Sequence, residues 1–165
     1  MSETNATQDA ALAPIHSEAV RPEWIDYNGH MNVGFYVLAF DHATDAWLDS
    51  LDLGSQYRKT ANASTFVVEA HVTYQNEVGQ GAGIGFTCQL LGYDAKRLHL
   101  FLRMLKSDDG SLVATSELML LHVDMKTRRT APIPDATQSR LGALEREQAA
   151  LPRPKEAGRV MAIKK

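Results

Sequence analysis

Four long segments with the two-residue alternation of β-strands follow one another between residues 64 and 125. Only one long helical segment precedes them. Turn-forming sequences such as DAK and DDG separate several of the strands. An antiparallel sheet built this way has one apolar face, which a single helix is able to cover. The four segments are STFVVEAHVTYQNEV, IGFTCQLLGY, RLHLFLRMLKS and SLVATSELMLLHVDM.

The helical segment, residues 32–50, has apolar side chains at intervals of three and four residues. Asn32 is its expected N-cap. A first strand is expected within residues 15–26 and a further helix within 135–150. We therefore predict an α+β fold in which a long central helix is wrapped by a five-stranded antiparallel sheet, with a C-terminal helical tail. The expected apolar stripe of the long helix is Val33, Tyr36, Val37, Phe40, Ala43, Trp47 and Leu51.

The 165 residues suffice for one domain with a substantial core. We expect a flexible lead over residues 1–14, the main domain over 15–130, and a C-terminal helix and basic tail over 131–165. The last fifteen residues, rich in Pro, Lys and Arg, are expected to be loosely held.

Composition excludes several classes of function. The formal net charge is −3, and no nucleic-acid-binding motif is present, so we expect no nucleic-acid partner. The single cysteine, Cys88, lies in an apolar strand and is interpreted as a buried hydrophobic residue. No signal-peptide pattern or membrane-spanning apolar run occurs, so we expect a cytoplasmic protein without a membrane partner.

Common cofactor and metal motifs are absent from the sequence. There is no nucleophile elbow, Walker A motif or H-E-x-x-H. The glycine-rich GQGAGIG has Ile84 where the dinucleotide motif needs its third glycine. DYNGHM begins like a calcium loop but has Met31 where glycine is required. We predict no metal and no cofactor.

The stretch DYNGHMNVG, residues 26–34, is the candidate for chemistry. In an extended backbone Asp26, Asn28 and His30 would face one side. The amides of the helix N-terminus that follows would point back toward them and suit an oxyanion. Two interpretations stay open from the residues alone: an acyl-transfer site, or an Asn-Gly turn with ordinary caps.

DYNGHMNVGFY resembles the motif of hotdog-fold thioesterases, Asp-x-x-Gly-His-Val/Met-Asn followed by Tyr. The resemblance extends over residues 15–130 in the order of elements. In the 4-hydroxybenzoyl-CoA thioesterase branch the Asp is the nucleophile or the general base. Plant acyl-ACP thioesterases have Asp-x-Asn-x-His and a later Tyr-x-x-Glu, but the Cys that follows that Glu is Val78 here. The matching residues are Asp26, Asn28, Gly29, His30, Met31, Asn32, Tyr36, Tyr74 and Glu77.

This resemblance implies an acyl-CoA thioesterase. Asp26 would attack the carbonyl or deprotonate water, and the sequence does not distinguish these roles. Asn28, with the amides near Val33 and Gly34, would orient the substrate and bind the oxyanion. His30 would hold Asp26 or the thioester oxygen. Glu77 would position the water. The family also implies a homodimer or a dimer of dimers, with the active site between subunits.

Residues 21–48 resemble, in particular, bacterial thioesterases of carnitine breakdown, which act on betainyl-CoA. A quaternary ammonium is recognised by aromatic faces, and Trp24 and Tyr27 are the candidates beside Asp26. The alternatives are a general short- or medium-chain acyl-CoA thioesterase and a non-catalytic acyl-CoA-binding module. A hotdog dehydratase would use helix residues such as His42 and Asp45 and is ranked lower.

Overall fold

A computed structural model describes residues 12–163 of the chain. It confirms the predicted order of one strand, one long helix and four long strands, and adds a short helix and a two-residue strand. The strands are β1 (His16–Ala19), β2 (Ala63–Tyr74), β3 (Gly83–Tyr93), β4 (Arg97–Lys106), β5 (Leu112–Asp124) and β6 (Arg129–Thr130). The helices are α1 (Val33–Ser50), α2 (Ser55–Ala61) and α3 (Asp135–Glu147), with a 3₁₀ turn at Pro22–Trp24.

The sheet is antiparallel with the strand order β1-β3-β4-β5-β2, and β6 pairs with the end of β5. The register aligns Leu90, Leu100 and Leu118 on adjacent strands, so that one face is continuously apolar. The long helix α1 covers that face, which confirms the predicted α+β architecture. The edges of the main sheet are the four-residue β1 and the twelve-residue β2.

Helix α1 begins where predicted, because the Asn32 side chain accepts a hydrogen bond from the Gly34 amide at 2.9 Å. The predicted apolar stripe was wrong at its start: Val33 and Val37 are exposed. The first turns lie over a groove beside the edge strand β2, where no further strand covers them. The buried positions are Tyr36, Ala39, Phe40, Ala43, Thr44, Trp47 and Leu48.

Strand β2 contains a bulge that the simple alternation did not predict. The register with β5 shifts between Val67 and Glu69, which leaves Val68 as the extra residue. Val67 therefore lies on the same face as Ala70 and Val72, whereas Phe66 faces the other side of the sheet. An uninterrupted alternation along β2 would put Phe66 on the face of Ala70 and Val72, and the bulge places it on the opposite face.

The tail after α3 is bound to the sheet, contrary to the expectation that it is loosely held. The Gln148 side chain accepts from the Leu90 amide at 2.8 Å. Farther on, the Gly158 amide donates to Glu117 Oε2 at 2.7 Å. The tail thus lies along the sheet face opposite α1. Most of the expected N-terminal lead, residues 1–11, is outside the described residues.

Cys88 is buried in β3, and burial raises the pKa of its thiol, which keeps it protonated and unreactive. The interpretation of Cys88 as a core residue is confirmed. Among residues 12–163, no helix has both the length and the apolar character needed to cross a bilayer.

Candidate active site

The stretch from Asp26 to Met31 is a closed turn rather than an extended segment. The Asp26 amide donates to the His30 carbonyl at 3.0 Å, and the Gly29 amide donates to the Asp26 carbonyl at 3.0 Å. Gly29 has φ +85°, a left-handed conformation that glycine adopts without strain. The expected alternation of Asp26, Asn28 and His30 on one face therefore does not apply, because it requires extended backbone.

Two backbone hydrogen bonds fix this turn to the rest of the protein. The Asn32 amide donates to the Trp24 carbonyl at 2.8 Å, which joins both ends of the turn at the start of α1. The Met31 amide donates to the Val78 carbonyl at 2.8 Å. Because Val78 follows Glu77, the second bond brings the segment after β2 beside the turn.

A cavity of about 750 Å³ lies between the turn, the first turns of α1 and the end of β2. Three of the four predicted catalytic residues line it, and so do two of the four predicted binding residues. Its lining residues are Asp26, Tyr27, His30, Met31, Asn32, Val33, Tyr36, Tyr74, Gln75, Asn76, Glu77 and Lys106.

Asp26 is a half-buried carboxylate with a fixed orientation. Its Oδ1 accepts a hydrogen bond from the Asn28 amide at 2.8 Å. Within residues 12–163 its second oxygen has no protein donor. The turn therefore positions the carboxylate with one oxygen while the other stays available to a ligand in the cavity.

His30 and Glu77 are the other ionisable residues that the sequence placed here. His30 is half-buried and Glu77 is exposed. In the described part of the chain neither side chain has a protein hydrogen-bond partner. Both groups are consequently available to a ligand or a water molecule in the cavity.

Tyr36 also lines the cavity, although the sequence pattern assigned it to the core stripe. Its ring packs edge-on against Tyr74 with centroids 5.2 Å apart. Burial is the main cause that raises the pKa of the Tyr36 hydroxyl, and a backbone hydrogen bond with Val78 lowers this pKa. The negative charges of Glu77 and Asp26 raise it further. Tyr36 therefore stays a neutral hydroxyl, within electrostatic range of both carboxylates.

The N-terminus of α1 supplies one free amide to the cavity. Gly34 N–H is occupied by the Asn32 side chain at 2.9 Å, and Phe35 N–H by the Asn32 carbonyl at 3.0 Å. Val33 N–H is the first-turn donor that has no acceptor among the described residues. Since Val33 lines the cavity, its amide is the better candidate to bind an oxyanion, and Gly34 is not brought to that position.

Two further predicted residues do not reach the cavity. Asn28 is exposed at the tip of the turn, and its contribution is the backbone amide that holds Asp26. Trp24 is only 2% exposed, stacked on Phe35 with ring centroids 5.6 Å apart. The guanidinium of Arg21 lies 5.1 Å from the Trp24 ring centroid. With its faces occupied, Trp24 is not available as a wall of a ligand cage.

The structure brings in several residues to which the sequence analysis gave no role in the site, among them Tyr74 and Lys106. Tyr74 ends β2, and Lys106 ends β4. Tyr74 was recognised only as part of the Tyr-x-x-Glu pattern, and Lys106 has no motif, since its position depends on the sheet register. With Tyr27, which is 97% exposed, Tyr74 and Tyr36 give the cavity three phenol rings.

Chemically, the cavity combines two carboxylates, an imidazole, three phenols, the Lys106 ammonium and a helix amide that has no acceptor among the described residues. A carboxylate beside an amide donor is able to activate water, or to attack directly, while the donor stabilises negative charge that develops on a carbonyl oxygen.

Comparison with known proteins identifies relatives over most of the chain. The model of the "Thioesterase-like superfamily" matches residues 20–141. A betainyl-CoA thioesterase of Pseudomonas aeruginosa is 42% identical over 144 residues, which are 87% of this chain and 91% of that protein. An L-carnitine dehydrogenase/betainyl-CoA thioesterase of Agrobacterium fabrum is 42% identical over 87% of this chain, which corresponds to 29% of that longer protein.

Among solved structures, a Staphylococcus aureus protein in complex with CoA superposes with a TM-score of 0.86. The two chains are 30% identical, and the match covers 93% of this chain and 97% of the other. The similarity therefore extends over nearly the whole of both chains.

The electrostatic geometry of the cavity is testable through Tyr36. Glu77→Gln removes a negative charge that raises the Tyr36 pKa, so the variant should titrate Tyr36 at lower pH than the wild type. The measurement is ¹³C NMR of the tyrosine ring carbons against pH, with Tyr36→Phe to assign the signal. Glu69→Gln, a charge change on the other face of β2, should leave the titration unchanged. An unaltered Tyr36 titration in Glu77→Gln would show that Glu77 does not face the cavity.

Proposed function

The chain belongs to the thioesterase-like superfamily and is an acyl-CoA thioester hydrolase, and we propose that the cavity beside the Asp26 turn is its active site and betainyl-CoA its substrate. The observation that carries the proposal is the meeting of Asp26, Glu77 and the free Val33 amide in one cavity. Thioester hydrolysis needs an activated nucleophile and a donor for the oxyanion, and these groups supply both.

Asp26 is the carboxylate that starts the reaction, by deprotonating water or by attacking the carbonyl carbon itself. The hydrogen bond from the Asn28 amide to Oδ1 fixes the orientation of the carboxylate. The other oxygen, Oδ2, is the atom that accepts the proton from water or attacks the carbonyl carbon. The Val33 amide and the partial positive charge of the α1 N-terminus stabilise the oxyanion of the tetrahedral intermediate. Collapse of that intermediate expels the CoA thiolate, and the His30 imidazole is placed to assist as an acid.

Glu77 has two roles in this proposal. It holds the hydrolytic water near Asp26, since its side chain has no competing protein partner among the described residues. It also contributes negative charge to the cavity, where Lys106 is the one formal cation among the lining residues besides protonatable His30. A cationic acyl group is favoured in such surroundings.

The betaine acyl group carries a trimethylammonium that cannot donate a hydrogen bond. Such a group binds to aromatic faces and diffuse negative charge, and each aromatic contact contributes roughly 0.5–2 kcal/mol. Tyr27, Tyr36 and Tyr74 are the phenols that line the cavity. Trp24 is buried and does not line the cavity. We therefore propose an aromatic cage formed by Tyr27, which the sequence predicted, and by the Tyr36–Tyr74 pair.

Assembly as a homodimer belongs to the same proposal. Strand β2 is a twelve-residue edge whose outward backbone groups have no partner strand among the described residues. Exposed apolar side chains surround this edge, which is unusual for a monomer surface. We propose that two β2 edges pair and continue the sheet between subunits. The apolar residues are Val33, Val37, Leu38, Phe66, Val67, Val68 and Tyr74.

A dimer formed at this edge also closes the active site. A second groove lies between α1 and β2 and is lined by Gly34, Val37, Leu38, Val67 and Ala70 among others. Tyr74 and Val33, at the mouth of the active-site cavity, belong to the same surface. The partner subunit would therefore complete both walls and separate the reacting groups and the bound water from bulk solvent. A cytoplasmic location accompanies this proposal, because CoA thioesters are intracellular metabolites.

The first test concerns Asp26. Asp26→Asn keeps an oxygen to accept the Asn28 amide, so the turn should survive while kcat/KM falls at least ~100-fold, the scale of losing a catalytic base. A free-thiol assay with betainyl-CoA measures it. Glu145→Gln, an exposed charge change on α3 away from the cavity and the β2 edge, serves as control and should retain full activity. If Asp26→Asn retains near wild-type turnover, Asp26 only stabilises the turn and has no catalytic role.

The second test concerns the substrate. Betainyl-CoA and its neutral isostere 3,3-dimethylbutanoyl-CoA have nearly the same shape and differ in the central charged atom. We expect at least about 10-fold higher kcat/KM for the cation, and a loss of that preference in Tyr74→Leu. Butyryl-CoA and octanoyl-CoA complete the panel. If the neutral thioesters are hydrolysed equally fast or faster, the protein is a general short- or medium-chain acyl-CoA thioesterase. If none of the four thioesters is hydrolysed, the protein is an acyl-CoA-binding module.

The third test concerns assembly. Val68 is 54% exposed and is the bulge residue of β2, so Val68→Lys changes the edge without disturbing the ladder to β5. Light scattering at micromolar concentration should give a dimer or a dimer of dimers for the wild type and a smaller species for Val68→Lys. Val160→Lys, at an 83% exposed valine in the tail, should leave the assembly unchanged. A monomeric wild type would refute the proposed pairing.

A further inference from the structure

A cluster of two histidines and a glutamate joins β1 to α1, away from the thioester cavity. His42 Nδ1 lies 3.0 Å from Glu18 Oε1, and His16 Nε2 lies 3.2 Å from the same oxygen. One ligand atom from each of the three residues lies within 4.8 Å of the other two. We propose that this cluster is a binding site for a divalent transition-metal ion such as Zn²⁺.

The donor set fits that class of metal. Two imidazole nitrogens and one carboxylate oxygen form a common ligand set for zinc, with bonds of about 2.0–2.2 Å and water in the remaining position. Tetrahedral ligands at those bond lengths lie about 3.4 Å apart. The separations of 3.0 and 3.2 Å are close to this value, so a metal would need only small side-chain shifts. Imidazole also favours zinc over Mg²⁺ and Ca²⁺, which prefer oxygen ligands.

The surroundings hold the three side chains in place. The Glu18 side chain is only 12% exposed, and both imidazoles are half-buried. The His16 ring packs 5.7 Å from Phe86, and the His42 ring packs 6.5 Å from Trp24. Aromatic side chains therefore limit the orientations of both imidazoles and lower the entropy lost when a metal binds.

The charges nearby are compatible with a cation. Arg21 reaches Glu18 through its other oxygen, Oε2, at 3.7 Å, so a metal on Oε1 would not have to displace this contact. The acidic residues Asp41, Asp45 and Asp49 lie along α1 beside His42. Asp45 and His42 are within electrostatic range, since His42 lowers the Asp45 pKa against a larger increase from burial.

A metal here would attach an edge strand to the central helix. Strand β1 has four residues and, within residues 12–163, pairs only with β3. The Trp24 ring packs against both His42 and Phe35, and none of the three ligand residues lines the cavity beside the Asp26 turn. We therefore assign the metal a stabilising role in the fold and no part in hydrolysis.

The test is titration of EDTA-treated, re-purified full-length protein with ZnCl₂ by calorimetry and by thermal unfolding. We expect one Zn²⁺ per chain and a higher unfolding temperature, with no comparable effect of MgCl₂. His42→Ala and Glu18→Gln should weaken Zn²⁺ binding at least ~100-fold, since losing even an outer hydrogen-bond partner of a ligand costs about 10–100-fold. Both variants are checked for folding by circular dichroism without metal.

His71→Ala provides the matched control, because His71 is a half-buried histidine on the opposite face of the sheet. It should bind Zn²⁺ like the wild type. Absence of zinc binding to the wild type would show that the cluster is an ion-pair network only. Binding that persists in His42→Ala and Glu18→Gln, or that is lost in His71→Ala, would place the metal elsewhere and overturn the proposal.

Discussion

Asn32 makes the hydrogen bonds on which the geometry of the site depends. Its amide donates to Trp24, its side chain accepts from Gly34, and its carbonyl accepts from Phe35. One residue thus closes the turn, caps the long helix and occupies two of the first-turn amides. The Val33 amide is left without an acceptor among the described residues, and Val33 lines the cavity. One wall of the candidate active site is therefore formed by the start of a helix, and the ends of β2 and β4 supply the opposite wall.

Much of the fold was predictable because its periodicities are simple. The four long strands, the long helix and its N-cap follow from alternation, helical spacing and capping preference in the sequence. The bulge at Val68 was not predictable, since it is a property of how β2 pairs with β5 and leaves no mark in one strand alone. The exposure of Val33 and Val37 has a similar cause. Both side chains lie beside β2, and because β2 is the edge strand, no further strand of the described chain covers them.

The candidate site was predictable only where its residues belong to a local sequence pattern. Asp26, His30 and Glu77 belong to a linear pattern or a family motif, and the structure brings them to one cavity. Trp24 and Asn28 lie beside Asp26 in sequence but point elsewhere, because a closed turn redirects neighbouring side chains. Lys106 and the His16–Glu18–His42 cluster depend on contacts between distant elements. No local pattern indicates such residues, and only the three-dimensional structure reveals them.

Two of the hydrogen bonds that hold the C-terminal tail on the outer face of the sheet use atoms of the tail's main chain. Gln89 Nε2 donates to the Pro152 carbonyl at 3.3 Å, and the Gly158 amide donates to Glu117. The tail atoms in these two bonds are common to almost every amino acid. Substitutions of tail side chains therefore leave these two main-chain contacts in place, whereas Gln148, whose side chain bonds to Leu90, is constrained in its identity. The length of the tail between α3 and Gly158 is constrained more strongly, because an insertion or deletion would shift both contacts out of register.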